Sequence, residues 1–430
     1  MKVYLETTGC RLNQSEIETI ARQFRQVGHV IVSSAEEADL CVVNTCAVTG
    51  EATRSSRHII RRLNRNNPHA SIVATGCYAH LSPEIVRSLP GVTQVISNLD
   101  KDCLVPLALH LNSRADVFDR EPLARDYLGG ALGRTRAFVK VQDGCDNHCT
   151  FCVTTIARGP GRSRPLQEVL REVQALAAAG YQEAVLTGVH LGSYGHDRGE
   201  RDGLYRLVRT ILDRTKIRRL RLSSLEPWDL SPAFFELWSD TRLCRHLHLP
   251  LQSGCDATLK RMARRTTQAR FHDLVASARA QIPDLAISTD VIVGFPGESE
   301  AEFEISSAFV RDMEFMKLHV FRYSPRTGTA AARIPGQVSG AIKKERSARL
   351  LAVSDEGARR FFERFVGREV EVLWEQVAGS SEAGFLNTGL TDNYLRVQME
   401  TPAVLTNTIT TVRPTGVAGH ALLAEAVSAS

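Results

Sequence analysis

The chain has 430 residues, 43% of them hydrophobic and 23% charged, with a net charge of +5. That length exceeds one ordinary domain and suits two or three, and the composition is that of a soluble globular protein. No apolar run approaches the ~20 residues that a membrane-spanning helix needs, and the mild positive charge permits a nucleic-acid partner without arguing for one. The start, Met1-Lys2-Val3-Tyr4-Leu5-Glu6, lacks a secretory pattern, so a cytoplasmic protein without a membrane partner is expected. Residues 1–112 alternate short apolar runs, at 3–5, 40–43 and 72–74, with helical spacing such as Ile17, Ile20, Phe24 and Val27. That alternation predicts an open parallel-sheet α/β domain. Residues 113–133, with Gly129-Gly130, read as a connector.

Residues 134–335 repeat the strand–helix unit six times. Strands are predicted at 137–141, 184–188, 219–223, 246–251, 286–293 and 316–321, and helices at 166–179, 204–213, 257–280 and 300–313. The pattern suits a partial (β/α)6 barrel, whose chemistry collects at the C-terminal strand ends. Residues 336–366 read as a charged helical linker carrying Leu350, Leu351, Val353, Phe361, Phe362 and Phe365. From 367 to 430 the texture becomes β-rich, with runs at 370–373, 394–397 and 409–412, which predicts a small all-β barrel with a frayed tail after Ala424. This last segment has three arginines against seven carboxylates, a net −4, which leaves +9 for the rest. Attraction to RNA phosphates is therefore expected mainly from the first 366 residues.

Ten cysteines in a cytosolic chain point to metal ligation, catalysis or core packing rather than disulfides. Cys145, Cys149 and Cys152 form a C-x3-C-x2-C run directly after a predicted strand. Three thiolates so close can wrap one iron–sulfur cluster and leave one iron open; a zinc knuckle is the competing reading, though zinc favours C-x2-C pairs and a fourth ligand. Cys10, Cys46 and Cys77 each follow an apolar strand, in Thr8-Gly9-Cys10, Thr45-Cys46 and Thr75-Gly76-Cys77. Strand ends of an open parallel sheet converge on one crevice, so these thiols can share a metal centre; three separate buried core cysteines are the alternative. Cys41, Cys103, Cys244 and Cys255 match no such pattern and read as packing residues.

The C-x3-C-x2-C run, with Phe151 before its last cysteine, resembles the signature of the radical S-adenosylmethionine (SAM) superfamily. Both cysteine groups together resemble the methylthiotransferase family over nearly the whole chain. The blocks include Thr8-Gly9-Cys10-Arg11-Leu12-Asn13-Gln14, Asn44-Thr45-Cys46, Ser223-Ser224-Leu225-Glu226-Pro227 and Asp290-Val291-Ile292-Val293-Gly294-Phe295-Pro296-Gly297-Glu298. Thr75-Gly76-Cys77-Tyr78 and Leu186-Thr187-Gly188-Val189-His190-Leu191-Gly192 are most similar to the branch acting on threonylcarbamoyladenosine at tRNA position 37. The C-terminal segment resembles the RNA-binding TRAM barrel.

The resemblance implies two 4Fe–4S clusters. One, on Cys145, Cys149 and Cys152, would bind SAM and generate a 5′-deoxyadenosyl radical; the other, on Cys10, Cys46 and Cys77, would deliver sulfur to carbon 2 of the adenine. No further catalytic side chain is implied, because the cofactor carries the hard chemistry. Implied partners are the tRNA anticodon loop with its target base splayed out, an electron donor such as flavodoxin or ferredoxin, and a sulfur source. Candidate SAM contacts are Phe151, Thr187, Gly188, Ser224, Glu226, Gln252 and Asp290, each of which could equally be an internal polar group of the barrel. Candidate RNA contacts are Arg158, Arg162 and Arg164, for which ion pairing competes, and Tyr394 and Arg396, for which docking onto the barrel competes. Arg54, Arg57, Arg61, Arg62 and Arg65 recur at near-helical spacing and read as phosphate contacts or a solvated face. Rival readings are methylthiolation of isopentenyladenosine or of a ribosomal protein, and a non-enzymatic iron–sulfur or zinc RNA-binding protein.

Overall fold

The structure, a computed structural model, describes residues 1–111, 135–382 and 384–427; the expected connector at 113–133 lies outside them. The first unit is a five-stranded parallel sheet of β1 (Lys2–Thr7), β2 (Val30–Ile31), β3 (Leu40–Thr45), β4 (Ser71–Gly76) and β5 (Val92–Val95), in the order β2-β1-β3-β4-β5. Both faces are covered, which is why β3 is buried at every position and its residues 40–43 read as an unbroken apolar run. Cys41, Val43 and Ile72 pack with Ile60 and Leu63 of helix Gly50–Asn66, while Val3, Val42 and Val73 pack with Ile17, Ile20 and Phe24 of helix Arg11–Gln26. The edge strands β2 and β5 escape the apolar pattern because they are short and only half-buried.

The second unit contains β6 (Arg136–Lys140), a short antiparallel pair β7 (Gln142–Asp143) and β8 (Arg162–Ser163), then β9 (Glu183–Thr187), β10 (Arg219–Leu222), β11 (His246–His248), β12 (Ala286–Val293) and β13 (Lys317–Arg322). Two three-stranded parallel sheets, β10-β9-β6 and β11-β12-β13, are joined by the bridges Leu220↔Leu243 and Ser224↔His248, so the six expected strands lie in chain order. Strand periodicity sorts their side chains. Ala137, Val139, Ala184, Leu186, Leu220, Leu222, Leu247, Ile287, Val291 and Leu318 pack outward against helices Leu166–Ala178, Gly203–Arg214, Gln268–Gln281 and Glu300–Asp312. The alternate positions turn inward and are largely polar: Arg136 and Lys140, Glu183, Arg221, His246 and His248, Ser288 and Asp290, His319. Closed barrels usually fill this interior with branched apolar side chains; here it is a polar lumen.

One expectation fails here. Residues 257–280 form two helices, Asp256–Arg261 and Gln268–Gln281, and not one. The chain turns at Ala263, which has φ +55°, and Arg264 points inward to Glu226.

Helix Gly340–Glu363 is more than a linker. Ser354 Oγ accepts the Leu318 N–H of β13 at 3.0 Å, and Phe361, Phe362 and Phe365 enter the core of the third unit. That unit is β14 (Val370–Ser381), β15 (Gly384–Thr391), β16 (Arg396–Thr401), β17 (Ile409–Ala418) and β18 (Ala421–Ala426), closed in the order β14-β15-β16-β18-β17. The expected fraying after Ala424 is not seen up to Ala426, since Glu425 pairs with Arg413 and Ala426 with Val412. The small barrel docks on the N-terminal ends of the lumen strands. Arg136 Nε meets Glu375 at 2.6 Å, Arg245 Nε meets Asp392 at 2.6 Å, and Arg219 and Arg221 donate to the carbonyls of Leu390 and Asp392. Two of the acidic residues that set its negative balance thus face arginines of the second unit. Among the described residues no helix is long and apolar enough to cross a membrane.

Phe365 is 1% exposed at the junction of the long helix and the small barrel. Phe365→Ala should cost about 3–5 kcal/mol, read as a lower denaturation midpoint; an unchanged midpoint would contradict this packing.

Candidate functional site

Cys10, Cys46 and Cys77 stand at the C-terminal ends of β1, β3 and β4, which are neighbours in the sheet. The small residues before them are required by close approach. Gly9 has φ +102°, and a Cβ there would lie 2.6 Å from Cys46 Sγ; Gly76 has φ +96°, and a Cβ there would lie 2.2 Å from the Thr45 carbonyl. Thr45 Oγ1 ties the strand ends, donating to the Thr75 carbonyl at 2.6 Å and accepting the Ala79 N–H at 3.0 Å. Asn13 Nδ2 donates to the carbonyls of Thr8 and Thr45, and Asn98 Nδ2 lies 3.6 Å from Cys77 Sγ.

Cys145, Cys149 and Cys152 lie in the loop after β7, beyond the C-terminal end of β6. Gly144, at φ +71°, lets the loop pass so close to Pro160 that a Cβ would fall 1.9 Å from its carbonyl oxygen. Gln142 pins the turn through the carbonyls of Asp143 and Gly144 and accepts the His190 N–H at 2.8 Å. Thr150 holds the far side, on the carbonyls of Met262 and Arg261. N–H donors are aimed at the sulfurs: Asn147 N at 3.4 Å from Cys145 Sγ, Thr154 N at 3.4 Å from Cys152 Sγ, and Arg264 Nη1 at 3.7 Å from Cys149 Sγ. Such donors stabilise metal-bound thiolates. Burial pushes the Cys46 and Cys149 thiols up to about 11, so metal binding at either must release protons. Of the four cysteines expected to pack, Cys41, Cys244 and Cys255 are buried and Cys103 is half-buried.

One buried ion network joins the two thiol groups. Arg158, in the helix Thr154–Arg158 just after Cys152, donates to Glu16 at 2.8 Å, Asp143 at 2.9 Å and Asn13 Oδ1 at 2.8 Å. Lys101 Nζ adds bonds to Glu16 at 2.8 Å and to Asn44 Oδ1 at 3.1 Å. Arg158 therefore clamps the first unit to the second and, at 3% exposure, offers nothing to RNA, contrary to expectation. Arg164 fails likewise: at 1% exposure it donates to the Lys140 carbonyl and pairs with Glu172 at 2.6 Å. Tyr394 also proves internal. Its ring stacks on His246 at 4.6 Å between centroids, and its hydroxyl accepts from Arg11 Nη2 at 2.8 Å. Arg162 remains half-buried near Asp143, and Arg396 is exposed.

The anticipated SAM residues gather at the lumen mouth. Glu226 is held by Arg264 at 2.6 Å, and Arg264 in turn lies over the Trp228 ring at 4.5 Å. Gln252 adopts φ +74° and bridges to Val291; Thr187 Oγ1 donates to the Val139 carbonyl at 3.2 Å. Gly188 allows close packing on Gln142, Phe151 packs by Met262 and Phe295, and Ser224 bridges to His248. Beside Ser224, the buried Ser223 hydroxyl has no partner among the described residues, an orphan that fits a polar ligand at this mouth. Asp290 lies deeper and faces His248 at 3.3 Å. With His319 these two place one donor atom each within 4.8 Å of one another. Sequence reading missed Arg264, hidden in an apparently continuous helix, together with Glu16, Lys101 and His319, which carry no motif.

A family described as "Uncharacterized protein family UPF0004" matches residues 2–97, and the radical SAM superfamily matches residues 139–310. A Bacillus subtilis protein named threonylcarbamoyladenosine tRNA methylthiotransferase MtaB is 37% identical over 92% of this chain and 89% of its own. An Acetivibrio thermocellus protein named tRNA-2-methylthio-N(6)-dimethylallyladenosine synthase is 33% identical over 96% and 88%. Among solved structures, the radical S-adenosylmethionine methyltransferase TsrM from Kitasatospora setae superposes with a TM-score of 0.60 at 14% identity, over 77% of each chain, a likeness of fold alone.

Burial opposes ionisation of Glu16, but Arg158 and Lys101 outweigh it and hold the carboxyl well below the usual carboxylate range. A depressed folded value means that this stabilisation is complete above the unfolded carboxylate pKa and is lost as pH falls through the depressed value. Arg158→Met leaves Glu16 and Asp143 buried with one partner fewer. It should cost about 3–5 kcal/mol at neutral pH, and acid unfolding should begin at higher pH than in the wild type. Denaturation across a pH series would show both; superimposable curves would contradict the clamp.

Proposed function

The chain belongs to the radical SAM methylthiotransferase family, in the threonylcarbamoyladenosine tRNA branch, and we propose that it replaces the hydrogen on carbon 2 of N6-threonylcarbamoyladenosine at tRNA position 37 with a methylthio group. The observation that carries this reading is that two thiol triplets, one at the strand ends of the five-stranded sheet and one in the loop beyond β6 and β7, are joined through the buried ion network of Arg158. Chemistry of this kind needs a radical source and a sulfur source held together, and one triplet alone could not supply both.

Cys145, Cys149 and Cys152 would hold one 4Fe–4S cluster with SAM, and Cys10, Cys46 and Cys77 a second. Their donor sets fit, being three thiols each with N–H groups directed at sulfur and with glycines where the backbone crowds in. When bound, these groups supply one-electron chemistry at an otherwise inert C–H bond and the sulfur that takes the place of hydrogen. The protein's own residues bind, orient and exclude water. Phe151, Thr187, Gly188, Ser224, Glu226 and Gln252 line the mouth where SAM would lie, with Arg264 fixing the Glu226 carboxylate. The division into units at 1–112, 134–335 and 367–430, with a connector at 113–133 and a helix at 336–366, follows these roles.

The tRNA would approach across helix Gly50–Asn66, which begins four residues after Cys46. Arg54, Arg61 and Arg65 are exposed on it, whereas Arg62 is spent on Glu6. Arg162, and Arg396 on the small barrel, extend the phosphate-binding surface. An electron donor such as flavodoxin or ferredoxin, a sulfur source and a cytoplasmic setting complete the reading.

Cys149→Ala should abolish 5′-deoxyadenosine formation. Cys46→Ala should retain part of it and give no methylthiolated nucleoside. Both are read by chromatography of an anaerobic reaction on tRNA bearing threonylcarbamoyladenosine. Full product from Cys46→Ala would overturn the role given to the first unit.

A further inference from the structure

The lumen below the cluster loop is polar on every strand, and one string of side chains crosses it. Arg11, the residue after Cys10, reaches in from the first unit and donates to the Tyr394 hydroxyl at 2.8 Å. The Tyr394 ring stacks on His246, whose Nε2 lies 3.0 Å from Ser288 Oγ, and the same oxygen lies 2.9 Å from His248 Nδ1. His248 Nε2 then meets Asp290 at 3.3 Å, and His319 stands edge-on to His248 at 5.5 Å between centroids. The charges along this string do not balance. Arg136 and Arg221 have Glu375 and Glu183 as partners, and Asp290 has His248. Arg11 has no carboxylate within ion-pair distance among the described residues, and its hydrogen-bond partner is the Tyr394 hydroxyl. His319 keeps an exposed portion, but desolvation of the rest of its ring lowers it to about 4, so it meets a ligand as a hydrogen-bonding group rather than as a cation.

Building on the activity proposed above, we propose that this string is the reader of the threonylcarbamoyl group, with Arg11 pairing its carboxylate and His319 and Asp290 taking its hydroxyl and urea N–H. The threonyl carboxylate supplies the partner that Arg11 lacks. An isopentenyl group, being apolar, would offer Arg11 no carboxylate and His319 no hydrogen-bonding partner while desolvating both, and a site built to bond polar groups rejects an analogue without them far more strongly than an apolar pocket rejects a small change in size. The string therefore supplies a physical basis for choosing threonylcarbamoyladenosine over the dimethylallyl substrate named for the Acetivibrio relative. It also reassigns Asp290 from the cofactor to the substrate.

The test uses anticodon stem-loops carrying threonylcarbamoyladenosine either as the free acid or as its methyl ester, with the reconstituted full chain. The wild type should prefer the acid by about 10- to 100-fold in kcat/KM, mostly through KM. In Arg11→Gln that preference should fall to near one, and Arg11→Lys should restore most of it, a response that a purely structural role for Arg11 would not give. His319→Phe, on an exposed position that does not endanger folding, should lower kcat/KM for acid and ester alike. Preference for the acid surviving intact in Arg11→Gln, or unchanged kinetics in His319→Phe, would overturn this assignment and leave the activity standing. A wild type that forms no methylthio product from either stem-loop would instead overturn the activity, and the assignment with it.

Discussion

Burying Arg158 between Glu16 and Asp143 takes a guanidinium and two carboxylates out of water, a cost that is recovered only when every donor and acceptor is met. Here they are met by residues from both sheets: Glu16 and Asn13 follow Cys10 on the first helix, and Asp143 precedes Cys145 by two positions. Lys101 closes the remaining face of Glu16. The geometry of each thiol group is thereby fixed relative to the other by short, charge-assisted bonds. Ser15 on the Phe138 carbonyl, Asn98 on the Ala157 carbonyl and Lys140 on Asp102 add further bonds across the same junction.

The second constraint is the inversion of the central barrel. Its apolar residues face the outer helices and its charges face the lumen, so the lumen needs stoppers at its ends. The small C-terminal barrel supplies one, with Tyr394 lying against His246 and within cation–π reach of Arg11, Arg136 and Arg221. Its acidic residues make sense in this light, since Glu375 and Asp392 meet arginines at the bottom of the lumen. A module expected to touch RNA is at the same time a structural floor.

Much of this was legible in the sequence. All six lumen strands were marked by apolar runs alternating with helical stretches, and both cysteine groups by thiols placed just past a strand, because strand burial and close backbone approach leave local signatures. The rest depended on contacts remote in sequence. Arg158, Arg164 and Tyr394 look like nucleic-acid ligands in a linear reading, and only burial against Glu16, Glu172 and His246 reveals otherwise. Arg264 was hidden because its break lies between two stretches of helical periodicity, and the break is made by a left-handed Ala263 that no propensity would suggest. The inward polarity of strands such as Arg219–Leu222, an alternation of charge and leucine, reads locally as a solvated face; the structure turns it toward a lumen instead.

That each thiol triplet grips an iron–sulfur cluster is the claim from which every functional statement descends. The direct check is the metal content of the full chain, purified and reconstituted without oxygen, with iron and acid-labile sulfide counted per polypeptide. About eight irons, as two four-iron clusters, should be found. Zinc in either triplet, or iron enough for one cluster only, would contradict it.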